Sequence, residues 1–331
     1  MKKFKVGIDG YSLKPLGLSP FETLDWALMN DAEGVQFSEA PDQAGDRIFL
    51  EELSQYAAQN NLYLEWGGGE HIPFDLETGK AKDIAAVNRK AAEQASRLGV
   101  LTVRSCSGGL MRWKDDSIPT ETLLREMARS LRAQKSPLRD LGVVLAIETH
   151  FEFTTFELLK LFEMCEVQPG EYLGICLDTM NLLTMLEDPV AAARRVLPWI
   201  VSTHIKDGAI RLGADGLVSF VAEAGKGVID FQKIFEELSS LGHSVHLSIE
   251  DHGGDFLIPI FDPIFIRKFP DLTVRELTSL LKLSSRTQEL MDRKALSILD
   301  RSRWPELCES RLKRDIRHVR KVLETDGQLR F

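Results

Sequence analysis

Short apolar runs, each closing in one or more polar residues, alternate with amphipathic segments for most of the chain. "FKVGIDGYS", "GVQFSE", "LYLEWGG", "VLTVRSCSGG", "GVVLAIETH", "YLGICLDTMN", "IVSTHIKD" and "SVHLSIEDHGG" read as strands buried on both faces. Seven of them are followed by a helical pattern: "SPFETLDWALMND", "RIFLEELSQYAAQNN", "DIAAVNRKAAEQASRLG", the stretch 121–140, "TTFELLKLFEMC", "DPVAAARRVLP" and "DFQKIFEELSSLG". Ser19, Pro20 and Glu22 open the first helix as N-cap, first-turn proline and capping box, and Asp230 is the expected N-cap of the last. Strict alternation implies a parallel sheet. Eight repeats of this length fit a (β/α)8 barrel over residues 1–258. No GxGxxG follows the first strand, so an open dinucleotide-binding sheet lacks its fingerprint. Residues 259–331 break the pattern and predict a C-terminal helical extension. It starts with the irregular "IPIFDPIFIRKFPD" and continues in two amphipathic helices, the first with a Thr273–Glu276 capping box. The extension is expected to pack on the barrel or on a partner subunit.

Four consecutive strands end alike. The fifth closes in Glu148, the sixth in Asp178, the seventh in His204 and the eighth in Glu250. In such a barrel the C-terminal strand ends line one mouth. Three carboxylates and an imidazole at one height repel or compete unless a divalent cation gathers them. An O,O,O,N set suits Mn²⁺, Mg²⁺, Co²⁺ or Zn²⁺. Residues i and i+2 of a strand share a face. His150, Lys206 and His252 therefore stand one step further out, either facing substrate or hydrogen-bonding to the ligands. A ligand glutamate, His150 or His252 could take a proton from carbon. Lys206 could neutralise an oxyanion or pair with a nearby carboxylate such as Asp207. Arg104 is a candidate for a substrate carboxylate or phosphate, or for a buried ion pair. Trp66 and Trp113 could wall a sugar ring or pack in the core, and Glu70 and His71 follow three glycines at the third strand end.

"AIETH", "LDTMN", "THIKD", "AGKGVIDF" (224–231) and "SIEDH" resemble the motifs of the xylose-isomerase-like TIM barrels, the sugar phosphate isomerase/epimerase superfamily, over roughly residues 4–255. The resemblance implies that Glu148, Asp178, His204 and Glu250 ligate one divalent metal ion, Mn²⁺ in first place. It also implies that the two glutamates move protons on opposite faces of the substrate. Many epimerase members carry a substrate-contacting histidine where this chain has Asn181, and an arginine where it has Ile210, with Arg211 one residue later. The expected function is a metal-dependent isomerase or epimerase acting through an enediolate of a keto-sugar. The alternative is a lyase of the same superfamily, which decarboxylates, dehydrates or β-eliminates a 3-oxo sugar, a 3-oxo sugar acid or a 3-oxo C-glycoside. Some members of the last kind work with a small accessory subunit; a homo-oligomer is the other assembly considered.

Charge narrows the partners. The net charge is −9, yet residues 261–331 carry 16 Lys/Arg against 11 Asp/Glu, so the acidity is concentrated in the body. An acidic body opposes nucleic acid. An apurinic-site endonuclease on the same barrel would need a three-metal cluster, and the chain has 7 histidines in all. No apolar run reaches the ~20 residues of a membrane span. The lysine-flanked N-terminus enters a strand directly, without the apolar core of a signal peptide. Cys106, Cys165, Cys176 and Cys308 form no CxxC pair and read as free thiols of a cytoplasmic protein.

Overall fold

In a computed structural model that describes residues 4–114 and 118–325, the eight expected strands close into a parallel barrel. They are β1 (Phe4–Asp9), β2 (Gly34–Phe37), β3 (Tyr63–Gly69), β4 (Thr102–Ser105), β5 (Val144–Glu148), β6 (Leu173–Asp178), β7 (Ile200–Ile205) and β10 (Val245–Ile249), ordered β1-β10-β7-β6-β5-β4-β3-β2. Around them lie α1 (Pro20–Met29), α2 (Arg47–Gln59), α3 (Ile84–Leu98), α4 (Thr120–Arg132), α5 (Lys135–Asp140), α6 (Thr155–Met164), α7 (Asn181–Thr184), α8 (Pro189–Val196) and α9 (Phe231–Ser239). The stretch 121–140 is thus two helices, broken at Ala133 and Gln134. Ser19 and Glu22 form the reciprocal capping box, and Asp230 caps α9.

A second sheet stands beside the mouth. β8 (Asp207–Leu212) and β9 (Leu217–Ala222) make an antiparallel hairpin, and β11 (Asp255–Ile258) adds to its edge. The hairpin leaves β7 one residue after the barrel strand ends, and it went unseen in the sequence pattern. Asp207 fixes the join: its carboxylate accepts from the backbone N–H of Gly208, Gly225 and Gly227 at 2.7, 2.8 and 2.9 Å. A Cβ at Gly227 would lie 2.1 Å from Asp207 Oδ1, so the "AGKG" turn needs a glycine there. Burial nonetheless pushes the Asp207 carboxyl up to about 7, against those backbone donors.

The extension supplies α10 (Pro263–Ile266), α11 (Val274–Asp292) and α12 (Trp304–Thr325). α11 packs on β8, and α12 on β1, β10 and the flank of α9. No helix directly follows β10. α12 therefore covers the eighth strand as the missing barrel helix would, and a boundary at residue 258 separates that strand from its cover. The Thr273–Glu276 box forms only in part. Thr273 caps Glu276 N, but the Glu276 carboxylate turns to Asp188 N at 2.8 Å and to Arg195. In "FLIPIFDPIFI", Ile258 and Phe265 are buried, whereas Leu257, Phe261 and Ile264 are exposed. Among the described residues no helix is long and apolar enough to cross a membrane.

Candidate functional site

Parallel register sets the geometry. Asp178 lies beside His204 across β6 and β7, and His204 beside Ser248 across β7 and β10. Glu148, Asp178, His204 and Glu250 meet at the barrel mouth, with one ligand atom of each within 4.8 Å of every other. His204 Nδ1 lies 3.6, 3.9 and 3.4 Å from Glu148 Oε1, Asp178 Oδ2 and Glu250 Oε2. Donors about 2.0–2.2 Å from a single ion stand roughly 3–3.5 Å apart. The set is therefore slightly expanded relative to a closed coordination shell.

The other ring nitrogen decides which one is free. His204 Nε2 is 2.9 Å from Asp9 Oδ2 and in contact with Gln36 Oε1, so its proton is held there. Nδ1 is left facing the three carboxylates with no hydrogen-bond partner, and Asp178 Oδ2 and Glu250 Oε2 likewise accept no hydrogen bond. Lys206 Nζ is 2.8 Å from Asp178 Oδ2 and 2.6 Å from Glu250 Oε2, close enough for ion pairs though poorly directed for hydrogen bonds. Converging carboxylate oxygens without hydrogen bonds, met by the Lys206 ammonium alone, around an imidazole whose far nitrogen is anchored by a carboxylate, fit a divalent cation. The donor chemistry fits Mn²⁺, Mg²⁺, Co²⁺ or Zn²⁺ alike.

Charge is strongly coupled here. Burial would raise Glu148, but Arg104 and His204 hold it below the ordinary carboxylate range. Burial is similarly outweighed at Glu250, by Lys206 and His204. At Asp178 burial wins, helped by Glu250 and Glu148, and pushes the carboxyl up to about 6 in spite of Lys206. His204 is raised well above the usual imidazole range because its surroundings, Cys176, Glu148, Asp9 and Glu250, outweigh burial. The Cys176 thiol is itself pushed up to about 12 by burial, so the carboxylates carry that effect.

Above this cluster opens a cavity of about 440 Å³. Its wall includes Glu148, Glu250, His150, Lys206, His252 and Arg104. His150 Nδ1 sits 3.0 Å from Glu152 Oε1, which also accepts from Gly109 N at 2.8 Å. Burial would lower His150, but Cys106 and Glu152, both bonded to the ring, hold it well above the ordinary imidazole range, so the ring keeps its proton. His252 Nδ1 donates to Gly253 O at 2.8 Å, and its Nε2 lies 3.4 Å from Lys206 Nζ. Burial, with Lys206 adding, lowers His252 to about 4, so the ring stays neutral. Arg104 makes the buried ion pair rather than facing an open anion site: Nε donates to Glu148 Oε2 at 2.5 Å, and Nη2 touches the same oxygen.

The remaining substrate candidates lie off the cavity wall. Asn181 is fully buried, and its Nδ2 lies 3.3 Å from Glu148 Oε1, the same oxygen that faces His204 Nδ1. Trp66 points outward to α3 and donates to Gln94 at 3.2 Å, because Glu65 takes the inward position on β3. Trp113 donates to Leu257 O at 2.6 Å and packs on Phe265. His71 is buried with Nδ1 2.8 Å from Ser105 Oγ, and Arg211 lies on the β8 hairpin. Sequence reading missed Asp9 and Gln36 behind His204, and Tyr11, Cys106, Phe256 and Arg301 on the cavity wall.

A family model described as xylose isomerase-like TIM barrel matches residues 24–268. The uncharacterized protein YihM of Escherichia coli (strain K12) is 28% identical over 228 residues, 67% of this chain. The match spans 63% of YihM, less than two thirds of its length. A structure of L-ribulose 3-epimerase superposes over 98% of both chains with a TM-score of 0.61 at 17% identity. A structure of the IOLI protein with a bound zinc atom covers 85% of this chain and 99% of its own, with a TM-score of 0.57 at 15% identity. At such identities the two structures are alike in fold.

Proposed function

The chain belongs to the xylose isomerase-like TIM barrel family, and from that premise we propose that it is a divalent-metal-dependent isomerase or epimerase of a keto-sugar. One observation carries the reading. His204 presents an unpartnered Nδ1 to three converging carboxylates on the floor of a cavity, while Asp9 and Gln36 hold its Nε2. The cavity volume of about 440 Å³ falls in the range of small-molecule sites, about 300–1,000 Å³. The epimerase resemblance of L-ribulose 3-epimerase and the zinc of the IOLI protein point the same way.

Glu148, Asp178, His204 and Glu250 would hold the ion, Mn²⁺ in first place. When bound, it supplies Lewis-acid polarisation of a substrate carbonyl or hydroxyl. His150, aimed by Glu152 and kept charged by Cys106 and Glu152, can return a proton to the enediolate carbon as general acid. His252 is less suited to that step, because its free nitrogen faces the Lys206 ammonium. Lys206 holds positive charge where the enediolate oxygen develops negative charge. Phe151 and Phe256, packed 4.7 Å apart on the wall, reduce the water in the site.

A lyase acting on the same enolate is the second reading. Asn181 is what favours it: the position that carries a substrate-contacting histidine in many epimerases is here an asparagine whose amide is spent on Glu148. A panel of ketoses and 3-oxo sugars with Mn²⁺ in D₂O, read by mass spectrometry, separates the two. Deuterium uptake with an isomeric product supports the isomerase. Loss of water, CO₂ or an aglycone supports the lyase. If neither occurs, both fall.

Two further outcomes are expected. His150→Asn should lower kcat about 10²-fold or more with metal content unchanged. Unaltered kcat would remove His150 from the proton path. The second concerns pH. His204 keeps its proton well above the usual imidazole range, so Nδ1 would have to release that proton for a metal ion to be held there. Apparent Mn²⁺ affinity should rise with pH, by up to about tenfold per unit around neutrality. Calorimetry in buffers of different ionisation enthalpy measures the proton released; none released would contradict it.

A further inference from the structure

We propose that Arg301, delivered by the C-terminal extension, binds the oxyanion of an anionic sugar substrate, a phosphate ester or a sugar carboxylate. The inference rests on the sugar-enzyme reading above and narrows its substrate class. It starts from the charges around the cavity. Four carboxylates line the wall, and each has a cation of its own. Glu39 faces Lys14 at 3.7 Å, Glu70 faces Lys82 at 2.5 Å, Glu250 faces Lys206 at 2.6 Å, and Glu148 holds Arg104. Arg301 also lines the wall, and among the described residues it is in ion-pair contact with no carboxylate. Its neighbours are neutral. Nη2 donates to Tyr11 Oη at 2.7 Å, and the guanidinium lies 5.4 Å from the Trp304 ring. Nη1 is 3.2 Å from His252 Nδ1, but that nitrogen already spends its proton on Gly253 O. Two donors facing each other make no bond, so Nη1 keeps its capacity for an acceptor.

The placement of Arg301 is built into the fold. Gly253 and Gly254, directly after the ligand-bearing "EDH", have φ of 65° and 102°, where side chains are strained. Leu299 lies over Gly253, and Gly254 N donates to Leu299 O at 3.1 Å. Arg301 then crosses Gly254, with Cδ 3.8 Å from where a Cβ would be. The Asp300 carboxylate caps the next turn through Ser302 N at 2.8 Å and so is occupied locally. The glycines thus let the extension lie flat on the mouth and present a guanidinium across it. A planar fork with free donors suits a phosphate or carboxylate better than a hydroxyl.

The test uses the full chain loaded with Mn²⁺ and measures binding of D-fructose, D-fructose 6-phosphate and D-gluconate by calorimetry at low salt. At least one anionic probe should bind about tenfold more tightly than D-fructose, and added salt should narrow the gap. Arg301→Met should abolish the preference without changing D-fructose binding, metal content or melting temperature, and Arg301→Lys should restore part of it. A preference for the phosphate or for the carboxylate identifies which oxyanion is read. Equal binding of charged and neutral probes, no binding of either anionic probe, or a preference that survives in Arg301→Met overturns the inference. The readout is separable from the enzymatic reading. Arg301-dependent anion binding in a protein whose turnover ignores metal would sink only the latter; metal-dependent turnover indifferent to Arg301 would sink only the former.

Discussion

Asp178→Asn is expected to empty the metal site and reduce turnover by about 10³–10⁴-fold, while leaving the folded protein as stable as before or more so. The two halves of that outcome have separate causes. Asp178 Oδ1 accepts from Met180 N and Asn181 N, each at 2.9 Å, and an asparagine oxygen can keep both bonds. The other oxygen points at His204 and Lys206 without a hydrogen bond, and burial pushes the carboxyl up to about 6. A raised carboxyl is a group that the folded chain holds less comfortably ionised than the unfolded chain does. Its contribution is present below its ordinary value near 3.8 and is lost as pH rises through about 6. Asn removes that loss, so any gain in stability should grow from pH 4 toward 7. Glu148→Gln should behave differently. It also empties the site, but it leaves the Arg104 guanidinium buried without its carboxylate, so melting temperature should fall along with activity. Metal content by mass spectrometry and thermal melts across pH check both. An Asp178→Asn protein that retains one tightly bound ion and full turnover would remove the metal from the mechanism.

What the sequence revealed and what it hid follow from the range of the forces involved. The barrel was legible because its signals are local: buried strands of period two, capped helices of period 3.6, and three acids and a histidine ending four neighbouring strands in phase. The same rule applied to β1 would have flagged Asp9, since "GIDG" ends like "CLDT". On β3 it would have chosen Glu65 over Trp66, because only alternate residues face inward. Glu65 instead belongs to a polar interior, reached by Ser202 Oγ at 2.9 Å and His246 Nδ1 at 3.0 Å. The β8–β9 hairpin was marked by "LGADGL", two strand-like runs around a glycine-bounded turn, but an eight-repeat reading leaves no slot for extra strands. The extension was harder. Amphipathic period shows that α12 has a partner, never which partner. Its basic charge is a better clue, in hindsight: Arg311 pairs with Asp251 at 2.6 Å, Arg314 with Glu223 at 2.8 Å and Arg320 with Glu33 at 3.5 Å, all acids of the barrel.

Arg311→Met should therefore cost about 3–5 kcal/mol of stability and lower the melting temperature on the order of 5–15 °C, the largest structural effect expected from one substitution in the extension. The guanidinium donates twice to Asp251, from Nε at 2.6 Å and from Nη2 at 2.9 Å, in a nearly dry interface between α12 and the loop that follows β10. Asp315 lies in the same interface, with Oδ1 accepting from Ala224 N at 2.7 Å and Oδ2 unpartnered. Burial first, and Asp251 next, raise its carboxyl well above the ordinary range. Removing Arg311 leaves two buried acids and no cation between them. Asp251 adjoins Glu250, so the damage should reach the mouth, and metal affinity should weaken although no ligand has been altered. Asp315→Asn provides the contrast. Asp315 stabilises the fold only while protonated, and that contribution is lost as pH rises through its raised folded value. Asparagine should therefore be neutral at low pH and stabilising at alkaline pH, and Asp251→Asn should recover part of the Arg311→Met loss. Urea melts of the three variants at acid and alkaline pH measure this. An Arg311→Met protein as stable as the parent would show that α12 is a passenger on the barrel, whereas the expected collapse makes it the helix that completes the eighth unit and holds the strand end that carries Glu250 in place.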